Sequence, residues 1–199
     1  LQIEIRGQAL EQVQQFKYLG SLLTEDGKSE KEVRTRIAMA KDAFNRHHKM
    51  LTGNINRDLK KRLIKTLVWS VLLYGSETWT LMKADAKRLE SCEMWLWRRM
   101  EKISWRDRVR NEEVLRRVGE HRTLLATIWK RKMNWIGHIM RGEGMLRVTI
   151  EGRVEGKRPR GRKRRMMLDD ILGDQKFHEM KTVAQKRDQW KQLSCAGPV

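Results

Sequence analysis

Alternating apolar and polar positions mark the first part of the chain. Leu1, Ile3 and Ile5 are separated by polar residues, and the turn-prone Gly7 follows them. A second stretch, residues 16–23, is rich in aromatic and aliphatic side chains. Together the two stretches predict a small antiparallel β hairpin at the N-terminal edge of the protein.

From residue 29 onward, apolar residues recur every three or four positions, as they do in amphipathic helices. Ser29 and Glu32 predict a capping box at the start of the first helix. A second helix is expected to begin near Asn56 and to end at Gly75, and a third to run over residues 84–100. The side chains expected to face the core are Val33, Ile37, Ala40, Phe44 and Leu51 in the first helix, Leu59, Leu63, Leu67, Val71 and Leu72 in the second, and Leu89, Leu96 and Met100 in the third.

Further helical patterns follow in the second half of the chain. Asn111 begins a short helix that Gly119 ends, and a longer helix is expected over residues 123–140. Two last helices are predicted over residues 166–172 and about 177–193. Their expected core side chains are Leu124, Ile128, Trp135, Ile139, Val183, Trp190 and Leu193. The predicted fold is therefore mainly α: a helical bundle with a small N-terminal hairpin and a basic C-terminal arm followed by helices.

The chain is strongly basic. Its 199 residues carry 44 Lys and Arg against 25 Asp and Glu, a formal net charge of +19. Fourteen of the Lys and Arg lie within residues 121–165, and eight of those lie in the Gly- and Pro-containing arm 153–165. Such clustering is typical of nucleic-acid binding, because guanidinium groups on an extended backbone can reach successive phosphates. The arm also fits a nuclear-localisation signal, so phosphate contact and import both stay open for it.

Basic residues also lie off the predicted apolar stripes, where they can face a nucleic acid; Arg34 and Lys41 of the first helix are examples. Binding through backbone and shape, without base reading, is expected of such a surface. The residues predicted to bind nucleic acid are Lys60, Lys61, Lys65, Arg131, Lys132, Arg153, Lys157, Arg158, Arg160, Arg162, Lys163, Arg164 and Arg165.

The sequence contains eight tryptophans, and the surroundings of each suggest different roles. Trp69, Trp135 and Trp190 lie on predicted apolar faces, where a buried ring is the default. Trp97 and Trp129 stand next to basic residues, and they are the candidates for stacking on bases.

No catalytic or metal-binding residue is expected. The five histidines lack neighbours at metal-ligand spacing, and Cys92 is predicted to be a small buried side chain. The pair Asp169 and Asp170 superficially resembles the metal-holding acids of polymerases, but an interaction with nearby cations or a helix N-terminus fits its position better. The longest apolar run, residues 66–74, is too short for a membrane helix, and no membrane partner is expected.

Seven stretches carry a resemblance to a known family. They are residues 16–24, 67–79, 103–114, 135–141, 150–162, 168–171 and 184–190. In this order they resemble the C-terminal region of the reverse transcriptases of non-LTR (LINE-type) retrotransposons, most similarly the RTE-like endonuclease-reverse transcriptases. The resemblance covers nearly the whole chain.

The resemblance implies a division of the chain. Residues 1–27 are similar to the end of the polymerase palm with its primer-grip hairpin, and residues 28–105 to the helical thumb. Residues 106–152 then form a C-terminal helical segment, 153–165 the basic arm and 166–199 the terminal helices. The primer-grip-like residues are Phe16, Lys17, Tyr18, Leu19 and Gly20. For Tyr18, a role at a primer terminus and a role as a core tyrosine both stay open.

The same resemblance implies which parts the chain lacks. The palm with its catalytic aspartates and Mg²⁺ ions, and the apurinic-type endonuclease domain, would precede Leu1. No cofactor is expected in this chain itself. Its partners would be RNA, DNA or their hybrid during target-primed reverse transcription, in the nucleus or in a cytoplasmic ribonucleoprotein before import. The zinc knuckle of another branch of the family is not carried over, because no Cys/His cluster is present.

Three other functions stay open at the level of sequence. A host protein can retain such a region as a basic interaction or scaffold module. The chain can also carry its own nuclease activity with Asp169 and Asp170, or be a relic without selected function.

Overall fold

The computed structural model describes residues 3–152, 161, 166–172 and 176–196. Apart from Gly161, the basic arm predicted at 153–165 lies outside these residues. The strands are β1 (Glu4–Ile5), β2 (Gln8–Ala9), β3 (Gln15–Tyr18) and β4 (Ser21–Thr24). The α-helices are α1 (Glu30–Arg46), α2 (His48–Leu51), α3 (Arg57–Leu63), α4 (Trp69–Leu72), α5 (Lys83–Met100), α6 (Asn111–Val118), α7 (Leu124–Arg141), α8 (Met145–Ile150), α9 (Asp169–Leu172), α10 (Phe177–Gln185) and α11 (Arg187–Ala196). The mainly α fold with an N-terminal antiparallel hairpin is thus confirmed.

Two hairpins, rather than one, precede the helices. β1 pairs with β2 and β3 pairs with β4, both antiparallel, so the first apolar stretch does not pair with residues 16–23. Each hairpin closes through two residues with positive φ, Arg6–Gly7 in the first and Leu19–Gly20 in the second. Such turns match the right-handed twist of the flanking strands, and they make each strand pair with its nearest neighbour.

The start of α1 differs from the predicted capping box. Ser29 precedes the helix but makes no side-chain cap; its hydroxyl oxygen instead accepts a hydrogen bond from the backbone N–H of Thr80 at 3.0 Å. The Glu32 carboxylate accepts from the backbone N–H of Leu22 at 2.8 Å and from Arg36 at 2.7 Å. Both side chains therefore hold tertiary contacts, which displace the local capping interaction.

The second predicted helix contains a π-helical segment. Asn56 caps its start as predicted, since its side-chain oxygen accepts from the N–H groups of Asp58 and Leu59. The segment Ile64–Val68 is π-helical and joins α3 to α4, and Gly75, with a φ of 70°, follows the end.

This widened turn moves the buried face of the helix. A π turn holds one extra residue, so the apolar stripe shifts along the sequence. Ile64 and Val68 are fully buried, whereas the predicted Leu63 and Leu67 are only half-buried and Leu59 is exposed. The regular spacing of the leucines predicted that Leu59 lies in the core, and this prediction is wrong.

The first hydrophobic core lies between α1, the helix from α3 to α4, α5, α6 and the start of α7. It includes most of the side chains that the sequence assigned to these helices. The buried members are Val33, Ala40, Phe44, Leu51, Ile64, Val68, Trp69, Leu72, Leu73, Trp79, Leu89, Cys92, Met94, Leu96, Trp97, Met100, Val114, Val118, Leu124 and Ile128.

A second core surrounds the other end of α7. The early residues of α7 belong to the first core, and its later residues pack against α9, α10 and α11. The buried members of the second core are Met133, Ile136, Met140, Leu168, Met180, Ala184 and Trp190. One helix therefore supplies apolar side chains to both cores.

The last predicted helix is broken into two. The sequence predicted continuous helix from about 177 to 193, but Lys186, with φ −93° and ψ 96°, separates α10 from α11. The break turns α11 toward α7, where the Trp190 indole N–H donates to the carbonyl of Met133 at 2.8 Å. Trp190 packs directly over Gly137, and a Cβ at that glycine would overlap the indole ring.

We expect Gly137→Ala to destabilise the fold by about 1–3 kcal/mol, because the added methyl group must displace the Trp190 ring from the second core. Gly142→Ala is the matched control: a Cβ there makes only ordinary contacts, the nearest at 3.5 Å from the Ile139 carbonyl oxygen. Urea unfolding monitored by circular dichroism measures both variants. Equal stabilities of the two variants would contradict the close packing described here.

A buried carboxylate caps the start of α7. Glu93 of α5 is almost fully buried, and it accepts hydrogen bonds from the backbone N–H groups of Thr123 and Leu124 at 3.0 and 3.2 Å. Burial raises the pKa of the Glu93 carboxyl, and these hydrogen bonds only partly oppose that rise.

Glu93 should therefore make stability depend on pH. Its raised pKa means that the folded state holds the proton more tightly than the unfolded state, so this contribution is full below about pH 4.3 and is lost as pH rises through the folded pKa. We expect the unfolding free energy of Glu93→Gln to fall less than that of the unsubstituted protein as pH is raised from 4 to 7. Glu112→Gln, at an exposed position of α6, should follow the unsubstituted protein.

Candidate nucleic-acid interface

Several of the cations that were predicted to bind nucleic acid contact other groups of the protein instead. The Lys61 ammonium lies 2.8 Å from Asp58 and donates to the carbonyl of Val118 at 3.2 Å. Lys65 contacts both carboxylate oxygens of Glu120 at 2.9 Å. These contacts join α3 and the π-helical segment to the end of α6, so the positive charge there is largely neutralised within the fold.

Lys132, also predicted to bind nucleic acid, lies inside the fold rather than at its surface. Its side chain is only 2% exposed. Arg131 is exposed and donates to the carbonyl of Leu73 at 3.1 Å, and Lys60 is half-buried on α3. The other predicted binding residues, Arg153, Lys157, Arg158, Arg160, Arg162, Lys163, Arg164 and Arg165, lie outside the described residues.

The tryptophans are arranged differently from the prediction. Trp97 is 0% exposed and belongs to the first core, so its neighbouring arginines did not indicate a stacking role. Trp69 and Trp190 are buried as predicted, whereas Trp135, also predicted to be buried, is only half-buried. Trp129 is half-buried too, and both rings pack against the second core. The ring that the sequence analysis missed is Trp105, which is 82% exposed.

A groove runs between α1 and α5. Cations from both helices line it, with the half-buried Trp95 ring at one end, and its volume is about 520 Å³. The lining residues that matter for its charge are Arg34, Lys41, Lys87 and Arg88.

A second cleft continues from Trp95 toward the end of α5. Its volume is about 650 Å³, and its walls include His48, Arg99, Lys102 and Trp105. Trp95 borders both cavities, so the groove and the cleft lie next to each other.

The charge of this surface is largely uncompensated. Arg34 and Arg88 both contact Glu30, at 2.7 and 3.1 Å, and Arg88 also pairs with Asp85. In the described part of the chain, no ion pair involves Lys41, Lys87, Arg99, Lys102 or Arg106. Unpaired cations in a concave surface concentrate positive potential and attract polyanions.

Trp95 organises two of these cations. The Lys41 ammonium and the Arg99 guanidinium lie 5.4 and 5.5 Å from the centroid of its ring, and Phe44 meets the ring edge-on at 5.4 Å. Trp95 and Arg99 are four residues apart on α5, so they share one face of the helix. The aromatic contacts therefore hold these cations at the junction of groove and cleft.

The loop after α5 places Trp105 in a capped backbone turn. Ser104 and Asp107 cap the short 3₁₀ turn Trp105–Asp107, with the Asp107 carboxylate accepting from the Ser104 N–H at 2.7 Å. Lys102 and Arg108, on either side of the turn, both have positive φ values, 56° and 50°. Left-handed conformations are rare for such residues and occur where the surrounding structure imposes them.

A side-chain bridge anchors the far side of this loop. Arg98 donates through Nη2 to the carbonyl of Val109 at 2.6 Å and to the Asn111 side chain at 2.9 Å. The half-buried Ile103 also packs against the first core. The loop is thereby fixed at both ends, although its tryptophan remains in solvent.

The primer-grip-like residues lie in and beside the second hairpin. Phe16 and Tyr18 alternate on β3 and are 57% and 56% exposed, Lys17 and Gly20 are also exposed, and Leu19 is more exposed still. The alternative that Tyr18 is a core tyrosine is therefore wrong.

A buried ion pair attaches this hairpin to the helical bundle. Arg36 and Glu32 of α1 contact each other at 2.7 Å, with side chains 5% and 6% exposed. Arg36 also donates to the Gly20 carbonyl and lies 4.5 Å above the Tyr74 ring, whose hydroxyl donates to the Leu19 carbonyl at 2.7 Å. The hairpin turn is thus hydrogen-bonded to α1 and to Tyr74, which follows α4.

The structure locates Cys92 and Asp169, two residues that the sequence raised as possible chemical groups. Burial raises the pKa of the Cys92 thiol to about 11, so this side chain stays protonated at neutral pH. The Asp169 carboxylate accepts from the backbone N–H of Met166 at 2.6 Å, at the start of α9. No group of three or more His, Cys, Asp or Glu residues in the described ranges is arranged to hold a metal ion.

A curated protein is similar in sequence to this chain. Uncharacterized transposon-derived protein F52C9.6 of Caenorhabditis elegans is 30% identical to this chain over 135 residues. The match covers 66% of this chain and 48% of the relative, so the chain spans about half the length of the curated relative it matches. This similarity indicates a transposon-related origin.

The other comparisons add no neighbour. No family model matches the chain. No solved structure matches it either. Across the helices of the described residues, none is both long and apolar enough to cross a membrane.

We expect Arg36→Met to destabilise the protein by about 3–5 kcal/mol, because it leaves the Glu32 carboxylate buried without its cation. Arg34→Met is the control. It removes an exposed pair of the same i, i+4 spacing on the same helix, and it should cost about 1 kcal/mol or less. Chemical denaturation gives both values, and similar losses in the two variants would contradict a special role for the buried pair.

Proposed function

We propose that this chain is the thumb and C-terminal region of a LINE-type, RTE-like retrotransposon reverse transcriptase. In this role it holds the template-primer duplex or the target DNA in target-primed reverse transcription. Its catalytic aspartates and their Mg²⁺ ions belong to a palm outside this chain. The chain itself binds nucleic acid without catalysing a reaction.

The main support for this proposal is the cationic groove between α1 and α5. Both helices belong to the segment 28–105 that resembles the thumb, and the unpaired Lys41 and Lys87 stand on opposite walls of the groove. A duplex of RNA and DNA presents two regular rows of phosphates, and ammonium groups on two facing helices suit such a ligand. Recognition of this kind reads the backbone and not the base sequence.

Two further features support the proposal. The transposon-derived relative fits an origin in a mobile element, although its name specifies no enzyme. The exposed aromatic side chains Phe16 and Tyr18 on the second hairpin offer a surface for the end of a primer. The basic arm 153–165 would add contacts to element RNA or target DNA, or direct nuclear import.

The partners of the chain follow from this role. RNA, DNA or their hybrid would bind the groove, and the palm and endonuclease domains would act on the bound strands. The complex would work in the nucleus, after assembly as a ribonucleoprotein in the cytoplasm.

We expect the double variant Lys41→Gln/Lys87→Gln to bind an RNA–DNA hybrid duplex more weakly and with a smaller dependence on salt. Each cation that contacts a phosphate contributes about 0.9 to the slope of log affinity against log salt, so the slope should fall by about two. Fluorescence anisotropy with a labelled 20-base-pair hybrid, measured over a range of salt concentrations, gives the slope.

The matched control is Lys186→Gln/Lys191→Gln, which removes the same charge from exposed positions beside the second core. It should leave the slope near that of the unsubstituted protein. An unchanged slope in the groove variant, or the same decrease in both variants, would contradict binding in the groove.

A further inference from the structure

We propose that the cleft between Trp95 and Trp105 binds an unpaired nucleotide, and that Trp105 stacks on its base. The inference rests on the proposed function and adds a second ligand class, single-stranded nucleic acid, at a separate position. In this proposal, the loop after α5 binds a nucleic-acid strand at the point where that strand leaves the duplex.

The exposure of Trp105 is the first observation. Indole rings bury large apolar areas, and the other tryptophans of the described chain are buried or half-buried. Trp105 instead keeps 82% of its surface in solvent while its backbone is capped and anchored. The ring therefore contributes little to the core and is free to contact a ligand.

The charge around the ring selects the ligand. Arg99 and Lys102 line the same cleft, and the Arg106 guanidinium lies 5.8 Å from the centroid of the Trp105 ring. Among the described residues that line the cleft, none carries a carboxylate. A planar apolar surface beside uncompensated cations suits a nucleotide, which combines an aromatic base with a phosphate.

An unpaired nucleotide fits better than a duplex. In a duplex the faces of the bases are covered by their neighbours, so a protein ring at the surface has no base to stack on. An unpaired base exposes its face, and stacking on an aromatic side chain is tolerant of base identity. The volume of about 650 Å³ is also in the range of small-ligand cavities.

The internal hydrogen bonds of the loop favour binding. Lys102 and Arg108 hold left-handed backbone, a rare conformation for such residues, without a ligand. The Arg98 bridge to Val109 and Asn111 holds the same loop. A site that is already ordered loses less entropy when the ligand binds.

The position of the cleft suggests which nucleotide it receives. Trp95 borders both the groove and the cleft, so the cleft lies beside a duplex whose phosphates contact the cations of the groove. The ligand is therefore a single-stranded extension of the bound duplex.

The test uses the full chain and three labelled probes: an eight-residue oligothymidylate, an abasic strand of the same length, and a blunt RNA–DNA hybrid duplex. The unsubstituted protein should bind oligothymidylate more tightly than the abasic strand, because only the former offers a base for stacking. Trp105→Ala should weaken oligothymidylate binding about five- to 150-fold, which corresponds to the 1–3 kcal/mol typical of one stacked base. It should also lose the preference over the abasic strand.

Controls separate stacking from general effects. Trp105→Phe keeps an aromatic ring and should retain much of the preference for oligothymidylate. Met145→Ala shortens another highly exposed apolar side chain and should leave all three affinities unchanged. Blunt-duplex binding should change less than twofold in Trp105→Ala.

The two proposals fail in different ways. If Lys41→Gln/Lys87→Gln leaves duplex binding unchanged while Trp105→Ala loses only single-stranded binding, the groove proposal is wrong and the cleft remains. If Trp105→Ala binds all three probes like the unsubstituted protein, the cleft proposal is overturned, and the exposed ring is then better explained as a contact for another protein. An equal loss on the abasic strand would also overturn it, since stacking requires a base.

Discussion

The arrangement of this protein depends on the packing of α7, a single helix that belongs to two hydrophobic cores. Leu124 and Ile128 complete the first core, and Met133, Ile136 and Met140 form the centre of the second. Because a helix is a stiff rod over this length, the terminal helices are positioned relative to the first helical bundle through α7. At Gly137 the absence of a side chain lets α11 approach the helix closely, and Trp190 fills that space.

The cations of the chain separate into two groups with different physical roles. Lys61, Lys65 and Arg36 form hydrogen bonds and ion pairs that join elements, so their charge is used within the fold. Lys41 and Arg99 instead surround an aromatic ring, and no carboxylate of the described chain pairs with them. A net charge of +19 therefore does not define a binding surface by itself. The pattern of unpaired cations in concave positions is more informative, and it emphasises the α1–α5 side of the bundle.

Most helices could be predicted from the sequence, whereas several tertiary features could not. Asn56, Gly75 and Gly119 act through local backbone geometry, so their positions at helix ends were readable. The π turn at Ile64–Val68 and the break at Lys186 depend on packing between distant segments, and no short-range pattern indicates them. The same limit applies to the site. Trp97 and Trp105 both stand beside arginines, yet the amphipathic register of α5 buries the first and the capped loop exposes the second.

The network of Glu32, Arg36 and Tyr74 has a mechanical consequence. It bonds the turn of the second hairpin to α1, and α1 is also one wall of the cationic groove. A displacement of α1 would therefore act on the hairpin turn as well, because the buried Arg36 and Glu32 both lie on α1 and both hydrogen-bond to the hairpin. The exposed aromatic strand β3 and one wall of the groove are thus connected through a single helix.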